Sequence, residues 1–268
     1  AKLLRHGTDL LKRTVPSALK EITSPAPPGR VVVLGDTHGQ LNDVLWIFFE
    51  HGEPSPTNVF LFNGDIVDRG ENATSIAILI LLFKLWEPEC MHLNRGNHED
   101  PIMNESYGFR DECITKWPGH RGLEIFYGFN ELFQLLPLAS LIDNETFVIH
   151  GGLWRRDFHL AQLRRVAFRR SLPERPGVGL DVLLFDSVWS DPHEGKGIGA
   201  NPRGDAIISF GPDCTKRFLR TDNLKLVVRS HQVPDSGQGY EWHHSGKCLT
   251  IFSASNYCGD CGNLGGVL

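Results

Sequence analysis

The chain has 268 residues, enough for one large domain or two small ones, and 41% of them are hydrophobic, so a sizeable core is available. A formal net charge of −5 argues against a nucleic-acid-binding surface. The longest apolar run, Ile76 to Phe83, stops at Lys84 and is too short to cross a bilayer as a helix. The six cysteines (Cys90, Cys113, Cys214, Cys248, Cys258 and Cys261) have no disulfide spacing. They read as reduced thiols of an intracellular protein, cytoplasmic or nuclear. Cys258 and Cys261 form a C-x-x-C, but no second pair stands by to complete a zinc knuckle.

In chain order, residues 1–29 hold an amphipathic stretch from Leu3 to Ile22, interrupted by Pro16. Ser24-Pro25-Ala26-Pro27-Pro28-Gly29 then reads as a linker or turn, so this part is expected to flank a catalytic domain spanning 30–268. The first strand, Val31 to Leu34, runs straight into Gly35-Asp36-Thr37-His38-Gly39. Leu41 to Phe49 has helical spacing. The next strand, Val59 to Phe62, ends at Asn63-Gly64, and Asp65, Asp68 and Arg69 follow at once. Two carboxylates and a guanidinium crowded at a strand end disfavour folding and favour the binding of metal and phosphate.

Thr74 to Trp86 is predicted helical, and Met91-His92-Leu93 is a third strand leading to Asn94-Arg95-Gly96-Asn97-His98-Glu99. Strands alternating with helices at this spacing imply βαβ units, with ligands at the C-terminal strand ends. Glu105 to Trp117 and Leu123 to Leu136 are expected to be helical. Thr146 to Ile149 is a strand ending in His150-Gly151-Gly152. Arg155 to Arg170, rich in arginine with apolar residues at Phe158, Leu160, Leu163, Val166 and Ala167, reads as a solvated helix. Leu224 to Val228 is a strand ending in Arg229-Ser230-His231, and Cys248 to Phe252 is the last, followed by a polar loop from Ser253 to Gly262.

Just past the strand ends stand Asp36, His38, Asp65, Asn97, His150 and His231. A lone histidine near a core is more often hydrogen-bonded than metal-bound; six Asp, His and Asn side chains at strand ends are hard to explain by packing. Carboxylate, imidazole and amide oxygen without thiolate suit Mn²⁺, Fe or Zn²⁺. Six ligands exceed one open zinc site and suit two ions about 3.5–4 Å apart, with Asp65 the natural bridge. Such a pair activates water near neutral pH and neutralises a phosphoryl group. Arg69 and Arg203, the latter in the Gly-rich loop Gly195 to Gly204, are the expected phosphate clamps. His98 is the expected general acid for a serine or threonine leaving group, with Asp68 orienting its imidazole. A covalent route through Cys214 and Arg220, which have the Cys-x5-Arg spacing, is rejected because no glycine lies between them.

These blocks resemble the serine/threonine phosphoprotein phosphatases of the metal-dependent PPP family. The resemblance rests on Gly35 to Gly39, Gly64 to Gly70, Arg95 to Glu99, His150 to Gly152, Trp189-Ser190-Asp191-Pro192, Arg229 to His231 and Phe252 to Tyr257, in the family's order. Tyr107-Gly108-Phe109 and the Trp-Ser-Asp-Pro block narrow it to protein phosphatases; Asn63, Met103 to Tyr107 and Gly211 to Lys216 look most like the protein phosphatase 5 and RdgC branch. The resemblance implies an α/β calcineurin-like metallophosphoesterase fold, a central β-sandwich flanked by helices. It implies two divalent ions, one on Asp36, His38 and Asp65, the other on Asp65, Asn97, His150 and His231. Phosphate would meet Arg69, Asn97, Arg203 and Tyr257. Phosphoprotein substrates and regulatory subunits or flanking regulatory domains are the implied partners.

Two departures stand out. Ser255 occupies a position where the family usually has proline, an expected loosening of the loop that carries Tyr257, and Ser171 to Asp186 is atypical in length and sequence. The competing readings are a metallophosphoesterase acting on nucleotides or small phosphoesters, and a catalytically silent scaffold. The second should have lost ligands, and none of the six is missing.

Overall fold

A computed structural model describes all 268 residues. The first half of the chain contains α1 (Lys2–Thr14), β1 (Leu19–Ile22), β2 (Arg30–Leu34), α2 (Leu41–His51), β3 (Asn58–Phe62), α3 (Ala73–Trp86) and β4 (Met91–Leu93). Next come α4 (Pro101–Tyr107), α5 (Phe109–Lys116), α6 (His120–Phe133), β5 (Ala139–Ile142), β6 (Thr146–Ile149) and α7 (Leu160–Leu163). The chain closes with α8 (Leu180–Trp189), β7 (Asp191–Pro192), β8 (Ile198–Ala200), β9 (Ile208–Phe210), α9 (Pro212–Thr221), β10 (Leu226–Arg229), β11 (Tyr240–His243) and β12 (Cys248–Ile251).

Two sheets pack face to face with helices outside them. One is three-stranded and parallel, in the order β2-β3-β4; the other has six strands in the order β1-β5-β6-β10-β12-β11. Side-chain alternation along each strand sorts residues between two cores. Val33, Val59 and Leu61 meet Ile22, Val148, Val228, Leu249 and Ile251 in the space between the sheets. Their neighbours Val32, Leu34, Phe60 and Phe62 point the other way, into a larger cluster formed with the helices, and Phe147, Ile149 and Val227 do the same from the six-stranded sheet. Both faces of the central strands β2, β3, β6 and β10 are therefore apolar, which is why those strands read as continuous hydrophobic runs.

Strands β2, β3 and β4 of one sheet and β6, β10 and β12 of the other end on the same side, where a buried polar seam joins them. Asn63 Nδ2 donates to the Ile149 carbonyl and to Ser230 Oγ, both at 2.9 Å. Asn94 Nδ2 donates to Asn63 Oδ1 (2.9 Å) and the Val148 carbonyl (3.1 Å). Asp36 and Phe252 form a single parallel bridge between the sheets. The approach is close enough that a Cβ on Gly35 would lie 2.1 Å from the Ile251 carbonyl oxygen, so only glycine fits.

Three local expectations differ from what is observed. Leu19 to Ile22 is not part of a flanking helix but β1, paired in parallel with β5 at Leu19–Ala139 through Ile22–Ile142. Leu4, Leu11, Val15, Ala18 and Leu19 lie inside the main core, so the residues before 30 pack with those after it. Arg155 to Arg170 contains one helical turn rather than a helix. Three of its six arginines pair with partners outside the segment and hold the chain in an irregular path: Arg155 with Asp186, Arg164 with Glu21 and Arg170 with Asp181. The helix expected from Glu105 is broken at Gly108, whose φ of 114° no other residue adopts readily.

Candidate active site

Each candidate ligand stands one to four residues past a strand end, where the backbone turns sharply. His38, Asp65 and His231 have φ values of 39°, 50° and 71°, left-handed conformations that non-glycine residues adopt only when the surroundings impose them. Here the constraint is explicit. Glu99 accepts the backbone N–H groups of Asp65 (2.8 Å), Ile66 (2.9 Å) and Gly96 (2.8 Å), fixing the β3 and β4 turns against each other. Gly96 must lack a side chain, since a Cβ would stand 2.2 Å from Asp65 Oδ1. The role of Glu99 is not legible in the sequence, because its partners are backbone groups that carry no sequence signal.

All six candidate ligands converge, and all are buried. His38 Nδ1 lies 2.9 Å from the Val67 carbonyl and His150 Nδ1 lies 2.8 Å from that of Asn63. Each contact places a proton on Nδ1 and turns Nε2 toward the site. His38 Nε2 is 3.7 Å from Asp36 Oδ2 and 3.5 Å from Asp65 Oδ2. His150 Nε2 is 3.3 Å from Asp65 Oδ2, 3.0 Å from Asn97 Oδ1 and 3.3 Å from His231 Nδ1. Asp36 is oriented by the N–H of His231, 2.9 Å from its Oδ1.

Acceptors that face one another at this range need a cation or shared protons between them. The protonation pattern says the same. Burial, together with Asp65, pushes the Asp36 carboxyl up to about 7. Burial acts to raise Asp65 too, but His150, His98 and His38 outweigh it and hold its carboxyl well below the usual carboxylate range. Burial lowers His150, and Asp65 and Asp36 override it to bring the imidazole up to about 9. Burial takes His38 down to about 4 and His231 well below its ordinary value, so both offer neutral nitrogen lone pairs at pH 7. Oxygen and nitrogen donors of this kind fit divalent metal ions.

A second buried unit adjoins the first. His98 Nδ1 is 2.7 Å from Asp68 Oδ2, and the ring packs edge-on against His38 at 4.8 Å between centroids. Asp68 also accepts from Asn104 Nδ2 (2.9 Å) and from the Phe109 N–H (2.9 Å), so its geometry is fully determined. Burial lowers His98, but Asp65 and Asp68 outweigh it and raise the imidazole above its usual value.

The candidate phosphate-binding groups ring this centre. Arg69 is exposed and stacks on the Tyr107 ring at 4.1 Å, and Tyr107 packs on His98 at 5.3 Å. Arg203 donates from Nε to Asp191 Oδ2 (3.0 Å) and from Nη2 to the His231 carbonyl (2.9 Å), so it is already held beside a candidate ligand. Asp191 is in turn fixed by the fully buried Arg229, whose Nη2 lies 2.8 Å from its Oδ1. Tyr257 packs on His38 at 5.1 Å. The loosening expected from Ser255 is not seen: its N–H and hydroxyl donate to the two oxygens of Asp43 at 2.7 and 2.8 Å.

Residues 29–235 match the family model of the calcineurin-like phosphoesterases. Serine/threonine-protein phosphatase T of Schizosaccharomyces pombe is 47% identical over 99% of this chain and 54% of its own length. Human serine/threonine-protein phosphatase 5 is 41% identical over 87% of this chain and 44% of its own length. The chain thus spans about half the length of the curated relatives it matches. The solved protein serine/threonine phosphatase from Saccharomyces cerevisiae with similarity to human phosphatase PP5 superposes with a TM-score of 0.90 at 38% identity, covering 99% of this chain and 80% of that one. A cold-active protein-tyrosine phosphatase from Shewanella shares the fold alone, with a TM-score of 0.60 at 15% identity. The chain belongs to the calcineurin-like phosphoesterase family, on the branch that holds the serine/threonine-protein phosphatases T and 5.

Proposed function

We propose that the chain hydrolyses phosphoserine and phosphothreonine in proteins. The observation that carries this reading is the pairing of a buried acceptor cluster with the His98–Asp68 unit beside it. Asp36, His38 and Asp65 would hold one divalent ion, and Asp65, Asn97, His150 and His231 the other. When bound, two such ions supply a nucleophile from water at neutral pH and neutralise phosphoryl charge. Mn²⁺ is the ion for a first assay, with Fe and Zn²⁺ compatible with the same donors.

The chain's own residues do the rest. Arg69 and Arg203 flank the site and offer guanidinium forks to the phosphoryl oxygens. Asn97 and Tyr257 complete the contact surface for phosphate. Asp68 takes the Nδ1 proton of His98 in a hydrogen bond, leaving Nε2 to deliver a proton to the departing serine or threonine oxygen. Phosphoproteins are the substrates, and regulatory regions or subunits are the expected partners. Six unpaired thiols support a reducing compartment, cytoplasm or nucleus.

The test is phosphate release from a phosphothreonine peptide with added Mn²⁺ and with chelator, set beside release from nucleotides. The expected result is metal-dependent turnover of the peptide, abolished by chelation. Faster turnover of nucleotides would reassign the substrate class, and no hydrolysis of either would reject the reading.

A further inference from the structure

The segment from Phe252 to Asn263 carries Tyr257 to the rim of the site. It is closed on itself by two asparagines. The Asn256 N–H donates to the Asn263 carbonyl (2.8 Å), the Tyr257 N–H to Asn263 Oδ1 (2.9 Å) and the Gly262 N–H to Asn256 Oδ1 (3.0 Å). At its start, the N–H groups of Ser253 and Ala254 bind the Asp36 carbonyl at 3.1 and 2.8 Å. Asn263 Nδ2 donates to the adjoining Ala254 carbonyl (2.9 Å), and from Ser255 to Asn263 a single residue hydrogen-bonds to a separate element of the fold. That residue is Ser255, which grips both oxygens of Asp43.

Asp43 lies in the first turn of α2, immediately after the turn that carries Asp36 and His38. The clasp therefore joins the two segments whose side chains meet at the His38–Tyr257 contact. Tyr257 also sits between two residues in left-handed backbone conformation, Asn256 (φ 42°) and Cys258 (φ 56°). Such a turn keeps its shape only where contacts outside it over-determine it. A proline at 255 has no N–H and no hydroxyl, so it could make neither bond.

We propose that the Asp43–Ser255 clasp is a positioning pair that holds Tyr257 against His38 and so sets the phosphate-contacting edge of the site. The proposal rests on the phosphatase reading above for its effect on catalysis, but not for its effect on the loop. Neither residue touches substrate; both act through Tyr257.

Ser255→Ala removes the hydroxyl bond and keeps the backbone bond. It is expected to raise KM for a phosphothreonine peptide about 3- to 10-fold while kcat changes less than about twofold, because Tyr257 loses its fixed position and the hydrolytic groups do not. Ser255→Thr, which keeps the hydroxyl, is expected to restore KM. In a Tyr257→Ala background the Ser255→Ala change should add nothing further, since the group it positions is gone. Hydrogen exchange of the 255–263 amides in metal-free protein supplies a readout that needs no activity, and Ser255→Ala is expected to speed it about tenfold. An unchanged KM, or an equal loss with and without Tyr257, would overturn the proposal, as would unchanged exchange. Should the wild-type chain fail to hydrolyse the peptide, the phosphatase reading falls, and the exchange measurement alone decides the clasp.

Discussion

At His98, burial works to strip the proton from the imidazole, and two carboxylates keep it there. Asp68 binds Nδ1 directly and Asp65 acts through space, so the acid form persists above the ordinary value near 6.5. The sign follows: below the raised value His98 can protonate a leaving alkoxide, and as pH rises through it that ability is lost. Hydrolysis of a phosphoserine peptide should therefore have an alkaline limb that p-nitrophenyl phosphate lacks, because nitrophenolate leaves without a proton. His98→Ala is expected to slow the peptide by roughly 10²- to 10⁴-fold and the nitrophenyl ester far less. Equal losses on both substrates would remove His98 from the role of proton donor.

The element scale exposes what a pattern of side chains can and cannot report. Leu19 and Ile22 are three residues apart, a spacing that fits a helix, and between them Lys20 is half-buried and Glu21 exposed on an edge strand. The strand character of β1 comes instead from its ladder to β5, which lies 120 positions further on at Leu19–Ala139. If β1 is structural, Leu19→Ala should cost about 2–4 kcal/mol of stability, seen as a lower denaturant midpoint with an unchanged slope. A separable flank would lose less than about 0.5 kcal/mol. Legibility at the site runs along the same line. Asp36, Asp65, Asn97, His150 and His231 each follow an apolar run, so spacing alone placed them together. Glu99, Asn104 and Asp43 act on backbone N–H groups or on one another's neighbours across the fold, and no spacing encodes those partners.

The whole molecule behaves as two sheets held together at the edge where their charges meet, so metal binding and folding stability are linked through the same side chains. The raised groups at this edge in the metal-free protein include Asp36 at about 7, His150 at about 9, and His98 and Glu99 above their ordinary ranges. A raised value means the folded state binds protons more tightly than the unfolded chain, so the stability it contributes is present at low pH and is lost as pH rises through the folded value. His38, lowered to about 4, and His231 act oppositely, but their effect is complete once pH passes the ordinary histidine value near 6.5. Within the site only the raised groups titrate between pH 6.5 and 9, and metal-free protein should lose stability across that window, by on the order of 3 kcal/mol if His150 alone is counted; Lys84, lowered by burial to about 8, offsets part of that loss above pH 8. A divalent cation takes the place of those protons, and its affinity should rise over the same interval as the ligands deprotonate. Melting temperatures measured from pH 6.5 to 9 are thus expected to fall with chelator present and to fall much less with Mn²⁺. Parallel curves, with and without the metal, would show that Asp36, Asp65 and His150 do not bind it.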